Sequence, residues 1–308
     1  MRLRFETIRP VTRLALSALA CGLMLTAGCL YEAPRQLPSS IRILYSRTTP
    51  DSLGTQVDIY FLVAREGNEL RLTGESGDDR QPTFAAGLRK VFFSRRSGAR
   101  DEIWAMDLDG SQESTLLASD GVDFRDPAVS PDDTRLAFTR VESGRAEVWI
   151  ADIDGRNPRM LLAEGGPWRQ AAWSPDGRTL AIVGGPEGAG RIHLLPAAGG
   201  APRPLAAGGD SQSDPAWSPD GARIAFVQGT GRSAEIAVAE VTGGGATRLT
   251  ENEVSDAAPA WSPDGERIAF VSRRPNGRDN VWLMDPDGRN VESLTRHDRS
   301  DAQDPDWL

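Results

Sequence analysis

The amino-acid sequence predicts an all-β fold, a six-bladed β-propeller of four-stranded blades closed by a C-terminal strand that joins the N-terminal blade. Three observations predict it. Ser-Pro-Asp recurs at Ser130, Ser174, Ser218 and Ser262, 44 residues apart each time. Each copy is followed by short apolar runs separated by Gly, Pro and Asp, with no helical periodicity. The chain ends on Asp304-Pro305-Asp306-Trp307-Leu308, which matches the first strand Ser213-Asp214-Pro215-Ala216-Trp217, whereas the first unit has no such strand of its own.

Residues 1–28 read as a lipoprotein signal. Arg2, Arg4, Arg9 and Arg13 form a basic start, and Leu14 to Ala27 is an apolar run of 14 residues. A bilayer span needs about 20 residues, so this run suits a signal h-region instead. It ends Leu25-Thr26-Ala27-Gly28-Cys29, which resembles a bacterial lipobox, with Thr26 where a larger apolar residue is usual. The resemblance implies cleavage before Cys29 and lipidation of its thiol. Leu30 stands where Asp would retain such a protein at the inner membrane, so the resemblance implies the outer membrane. The alternative is an ordinary secretory signal cut nearby, with Cys29 left as a thiol. Residues 29–40 then read as the lipidated cysteine and a tether, in which Pro34 and Pro38 stop regular structure.

The propeller is expected over residues 41–308, about 45 residues for each of six blades. The first unit, Ile41 to Thr73, offers strands two, three and four, with Ile43–Ser46 and Ile59-Tyr60 as their apolar cores. Gln81-Pro82-Thr83-Phe84, Val91–Phe93 and Ile103-Trp104 repeat the pattern in the second unit. In the four later units the second strands are Arg135–Phe138, Thr179–Val183, Arg223–Val227 and Arg267–Val271. The third strands are Glu147–Ala151, Arg191–Leu195, Glu235–Ala239 and Asn280–Met284. Closing the ring removes open sheet edges that would template aggregation.

The recurring residues have structural duties. Pro fixes φ, Asp stabilises the turn and Gly accepts positive φ. The loops Asp107–Gly110, Asp152–Gly155 and Asp285–Gly288 carry the Asp-Gly hairpin signal. None supplies the ligand set of a calcium-binding helix–loop–helix. Trp173, Trp217, Trp261 and Trp307 share one repeat position, and Trp104, Trp149 and Trp282 another, so they read as packing between blades.

Connections after strands two and four are expected to be the longer ones, placing the variable loops around one mouth of the channel. Aligning the units just before strand one gives Asp79-Arg80-Gln81, Phe124-Arg125-Asp126, Trp168-Arg169-Gln170, Gln212-Ser213-Asp214, Asp256-Ala257-Ala258 and Ala302-Gln303-Asp304. Arg80, Arg125 and Arg169 follow one another in three blades, with Phe124 and Trp168 beside them. Aromatic and Arg clusters have the composition of protein-binding hot spots. Arg80, Phe124, Arg125, Asp126, Trp168, Arg169, Asp214 and Asp304 are therefore the expected partner-binding residues at the channel mouth. The competing reading is that these side chains merely cap the blade tops.

Composition excludes several activities. The net charge of −9, with 35 Lys and Arg against 44 Asp and Glu, lacks the basic footprint of a nucleic-acid binder. Removing the signal, which carries a net +3, takes the charge to −12. Two Cys and two His leave little for disulfides or zinc. His193 lies at a Trp position of a third strand, and His297 near the end of the last blade. No Gly-x-Ser-x-Gly elbow is present, and Gly185–Gly190 lacks the Lys-Ser/Thr of a phosphate-binding loop. No catalytic residues, metal ligands or cofactor are assigned. A calcium ion at Asp126, Asp214 and Asp304 is the remaining cation reading.

Pro259–Phe270 together with Val281–Gly288 resembles the WD40-like (PD40) repeat of TolB-type propellers, and the likeness extends over residues 41–308. It implies a six-bladed propeller in the cell envelope that binds protein partners. TolB carries a further α/β domain that this chain has no room for, so a Tol–Pal role is not carried over. The expected function is a non-enzymatic, monomeric, lipid-anchored scaffold at the outer membrane, its propeller in the periplasm and binding an envelope protein. The alternatives are a glycan- or small-molecule-binding sensor and a metal-dependent hydrolase or lyase.

Overall fold

Each Ser-Pro-Asp turn closes on itself. Ser218 Oγ donates to Asp220 Oδ1 at 2.5 Å and accepts from Arg223 N at 2.9 Å, while Gly221 N reaches Ser218 O at 2.9 Å. Ser130, Ser174 and Ser262 repeat the first of these bonds with Asp132, Asp176 and Asp264. The serine hydroxyl is the largest influence holding these four carboxyls below the usual range. The last turn residue has positive φ, which Gly177, Gly221 and Gly265 accept at no steric cost and Asp133 tolerates.

These turns join the strands of a computed structural model that describes residues 41–308, apart from 51–54, 64–67, 75–76, 163–165, 206–207, 274–276 and 298. The first blade contributes β1 (Arg42–Pro50), β2 (Thr55–Val63) and β3 (Asn68–Arg71). The second has β4 (Asp78–Ala85), β5 (Lys90–Ser97), β6 (Arg100–Asp107) and β7 (Ser114–Leu117). The third has β8 (Val122–Val129), β9 (Arg135–Glu142), β10 (Arg145–Asp152) and β11 (Arg159–Met160). The fourth has β12 (Trp168–Trp173), β13 (Thr179–Gly184), β14 (Arg191–Pro196) and β15 (Arg203–Pro204). The fifth has β16 (Gln212–Trp217), β17 (Arg223–Gln228), β18 (Glu235–Glu240) and β19 (Thr247–Arg248). The sixth has β20 (Asp256–Trp261), β21 (Ile268–Ser272), β22 (Asn280–Met284) and β23 (Glu292–Ser293), and the chain ends on β24 (Asp301–Trp307).

The strands form six four-stranded antiparallel sheets, and the first has the order β24-β1-β2-β3. The last strand of the chain is thus the innermost strand of the first blade, the closure that the sequence predicts. Ile43 pairs with Trp307 and Thr48 with Asp301 along this seam.

Burial follows from the ring. Apolar side chains on facing sheets interdigitate in six clusters, each shared by two neighbouring blades. Ala269 and Leu283 of the sixth blade, for example, pack with Ile43 and Tyr45 of the first. The inner-strand tryptophans add directed links. The indole N–H groups of Trp173, Trp217 and Trp307 donate to Ala128, Ala172 and Ala260 carbonyls of the preceding blade, at 3.0, 3.1 and 3.0 Å. Arg135 stacks over Trp173 and Arg223 over Trp261, each reaching forward by one blade. The third-strand tryptophans bond within their own blades: Trp104 to Glu102 and Trp149 to Glu147, at 2.9 and 3.0 Å.

Two sequence expectations are corrected. Connections after strand two are not uniformly long: Ser97 pairs directly with Arg100, and Glu142 with Arg145. Ser143 and Gly144 both have positive φ, the geometry that matches strand twist in a two-residue hairpin. The aligned segments around Arg80, Arg125 and Arg169 also lie within strand one, not before it.

Candidate functional site

Every inner strand carries a β-bulge. Pairing with the second strand breaks between Arg80 and Thr83, Arg125 and Ala128, Arg169 and Ala172, Ser213 and Ala216, and Ala257 and Ala260. In β24 the break lies opposite Leu44 and Ser46. In five of the six strands a proline sits in the break (Pro82, Pro127, Pro215, Pro259, Pro305), where its missing N–H cannot serve the ladder. The residue before it has φ near +50° in all six: Gln81, Asp126, Gln170, Asp214, Ala258 and Asp304. The bulge re-aims these residues, and all six line the channel cavity of about 400 Å³.

Around the ring the types run Gln, Asp, Gln, Asp, Ala, Asp. Gln81 donates its amide to the Asp126 carboxylate and accepts from Asp126 N at 3.1 Å. Gln170 does the same for Asp214, accepting from its backbone N–H at 3.3 Å. Thr139 bridges the two pairs by donating to Asp126 at 2.7 Å and accepting from Gln170 N at 3.1 Å. Asp304 Oδ2 accepts from Ser46 Oγ at 2.9 Å and from Gln81 N at 3.2 Å. The result is a hydrogen-bonded belt joining blades one to five through the channel.

The channel is strongly acidic. Burial raises the carboxyls of Asp126, Asp214, Asp304 and Asp306, to about 6 for Asp214 and Asp306. The charge on Asp304 adds to the rise at Asp214 and Asp126. Asp306 stands where Ala128, Ala172, Ala216 and Ala260 stand in other blades and accepts from Phe84 N at 3.2 Å. Among the described residues, no group of three or more His, Cys, Asp or Glu side chains is disposed to hold a metal ion.

The mouth at the start of the inner strands opens into two further cavities. One, of about 360 Å³, brings Arg80 and Arg125 together with Arg96, Asp78 and Asp101 above Gln81. Arg80 pairs with Asp78 at 3.2 Å, and Arg125 with Asp101 and Asp123. The other, of about 780 Å³, lies over Ala258 between blades five and six and is lined also by Asp214, Asp304, Arg232, Glu253 and Arg273. Arg169 is not part of the first cavity; it bonds its own blade's loop, at Gly185 O, 2.7 Å away. Phe124 and Trp168 are buried. Phe124 packs on Phe138, and Trp168 lies against Gly184 with its edge contact to His193. A Cβ on Gly184 would sit 2.2 Å from the Trp168 ring, so the glycine is the seat of that indole.

Residues 119–308 match the family model of the TolB beta propeller domain, PD40. The chain belongs to that family. The family's propeller architecture is seen in TolB from Acinetobacter baumannii, which aligns with a TM-score of 0.77 and 21% identity over 87% of this chain and 67% of that one. A protein assigned as TolB in Agrobacterium tumefaciens aligns with a TM-score of 0.68 and 20% identity, over 87% of this chain and 99% of that one. A puromycin-hydrolyzing peptidase of Mycobacterium tuberculosis shares the fold at a TM-score of 0.58 and 21% identity, over 82% of this chain and 44% of that one. No curated protein matches the chain. At these identities the likeness is one of fold.

Sequence reading passed over Gln81 and Gln170, although both stand in the aligned triads. The signal was the alternation of Gln and Asp down the third column. Arg96, Glu253 and Arg273 lie outside the repeat and carry no signal short of a fold.

Proposed function

We propose that this chain is a non-enzymatic scaffold of the bacterial cell envelope that binds a protein partner at the channel mouth, held to the membrane by lipid on Cys29. Cys29 and the signal lie outside the described residues, so the anchor rests on the sequence pattern alone. The observation that carries the binding reading is the mouth itself: a rigid rim with two polar cavities above an acidic belt. Arg80, Arg96 and Arg125 project there with their carboxylate partners, partly exposed, on strands fixed by blade packing. Such charged rims steer and orient a partner. The buried Phe124 and Trp168 then act beneath the rim by holding blade tops in place. Belonging to the TolB propeller family supports the same reading.

The test is affinity capture of the lipidated protein from its native envelope, comparing the wild type with Arg80→Ala/Arg125→Ala. A specific protein retained by the wild type and lost from the double variant is expected. Equal retention by both would remove this rim from the function. Turnover of a peptide or glycan by purified protein, lost on chelation, would replace the scaffold reading with a metal-dependent hydrolase or lyase.

A further inference from the structure

The channel belt is a threefold repeat with one member missing. Gln81 serves Asp126 and Gln170 serves Asp214, but the position that should serve Asp304 is Ala258. Its backbone has the same left-handed φ, +49°, as Gln81 and Gln170 at +53°. A side chain there would therefore enter the channel as the two glutamines do. The methyl group stops short, and the space opens into the 780 Å³ mouth cavity that reaches Asp214 and Asp304 on either side.

Asp304 shows the consequence. Its bonds from Ser46 and from Gln81 N both go to Oδ2. The amide donor that Asp126 and Asp214 each receive from the preceding blade is missing. No ion pair replaces it: among the described residues neither Asp214 nor Asp304 is paired with a cation, and the positive charge that acts on Asp304 is that of Arg80, itself paired with Asp78. In the lining of the same cavity Arg273 is engaged by Asp279 through two bonds of 2.9 Å, and one further cation, Arg232, and one further carboxylate, Glu253, are present. The notch thus presents Asp304, with the place of its amide donor open, beside Asp214, whose oxygens accept from Gln170 and from Ser213 Oγ and retain lone pairs for a further donor. A neutral amide would supply the hydrogen bond but bring no positive charge between the two carboxylates. An ammonium on a flexible stem supplies donors to both oxygens and a charge.

We propose that the Ala258 notch is a subsite for a lysine side chain of the protein partner, its ammonium donating to Asp304 and Asp214 where the third glutamine of the belt would stand. This rests on the mouth being a protein-binding surface and names the chemistry of the residue that enters it.

The test uses the full chain and N-acetyl-lysine methylamide as the probe, followed by shifts of the Ala258 methyl and Asp304 amide resonances. Saturable shifts at both positions are expected, together with none from the Nε-acetylated probe. Ala258→Gln, which completes the belt, should weaken the probe at least about tenfold and raise the thermal midpoint. Asp304→Asn keeps the size of the side chain and should weaken the probe likewise, so the test survives if the glutamine variant fails to fold. Equal binding of charged and acetylated probes, or undiminished binding by either variant, overturns the proposal. An envelope protein retained equally by wild type and Ala258→Gln overturns the subsite and leaves the rim reading intact. A probe bound at Asp304 by a wild type that retains no envelope protein supports the subsite and sinks the protein-partner reading.

Discussion

Removing Asp304–Leu308 should unfold the propeller as a whole. The deletion takes away the Trp307 indole and its bond to Ala260 in the sixth blade. It also takes the Asp304 and Asp306 carboxylates that accept from Gln81 N and Phe84 N in the second blade, and the bond from Leu308 N to Arg42 O. Trp307 is half-buried, so its loss sits near the lower end of the 3–5 kcal/mol typical of tryptophan truncation. With the bond from Ser46 Oγ to Asp304, five side-chain and terminal hydrogen bonds are lost, at about 1 kcal/mol each. The total, about 8 kcal/mol, is comparable with the whole stability of a typical domain, about 5–15 kcal/mol. It also uncovers the inner edge of β1 at Ile43 and Leu44 for pairing with other chains. Urea denaturation followed by circular dichroism and tryptophan fluorescence is the assay. Trp307→Phe, which keeps a six-membered ring but loses the pyrrole part of the indole and its N–H, should cost about 1–3 kcal/mol, well short of the deletion. A truncated chain with the wild-type midpoint would refute closure through β24.

Further perturbations probe separate layers of the same structure. Arg135→Ala removes the stacking on Trp173 and the bond to Gly177 O, and should lower stability by about 1–2 kcal/mol in chemical denaturation, against no change if the arginine is merely a surface charge. Asp79→Ala removes the two-bond partner of Arg95, which is only 4% exposed and held by Asp79 at 2.6 and 2.8 Å, leaving it Glu113 at 2.8 Å; a loss of about 2–4 kcal/mol is expected, below the full cost of an unpaired buried charge, and a loss below about 1 kcal/mol would contradict the buried-pair reading. Asp214 and Asp306, raised to about 6 from 3.8, bind protons in the folded state that the unfolded chain has already released, so stability should fall as pH rises between about 4 and 6, by at most about 3 kcal/mol per group. The thermal midpoint should therefore be higher near pH 5 than near pH 7.5, with a smaller difference in Asp306→Asn; a midpoint that rises over this range would exclude the assignment.

Much of the fold was legible because its signals are local and repeated. Ser-Pro-Asp-Gly specifies the turn through bonds among neighbours in sequence, as Ser218, Asp220 and Arg223 show. The terminal match between Asp304–Leu308 and a first strand gave the closure. The site was less legible because a β-bulge resets the alternation of strand faces. Extrapolating from the strand after the bulge leaves Phe124 and Trp168 free at the mouth. The shift turns Phe124 onto Phe138 and Trp168 onto Gly184 instead. The same shift sends Gln81 and Gln170 into the channel, where each meets a residue about 44 positions away.

A repeat protein makes departures from its own pattern informative. Turn serines, inner-strand tryptophans and bulge prolines recur because every blade must solve the same packing problem. Ala258 and Asp306 depart from that pattern. Ala258 leaves the belt open between Asp214 and Asp304, forgoing a hydrogen bond that the fold makes twice elsewhere. Asp306 puts a carboxylate, raised by its burial, where four other blades have alanine. Both changes make the channel more acidic or more open, and neither improves packing. Stability alone would favour glutamine at the first position, and at the second the bond from Phe84 N offsets only part of the cost of burying a carboxylate. Their joint direction, toward an accessible acidic channel, is what a site for a cationic group requires.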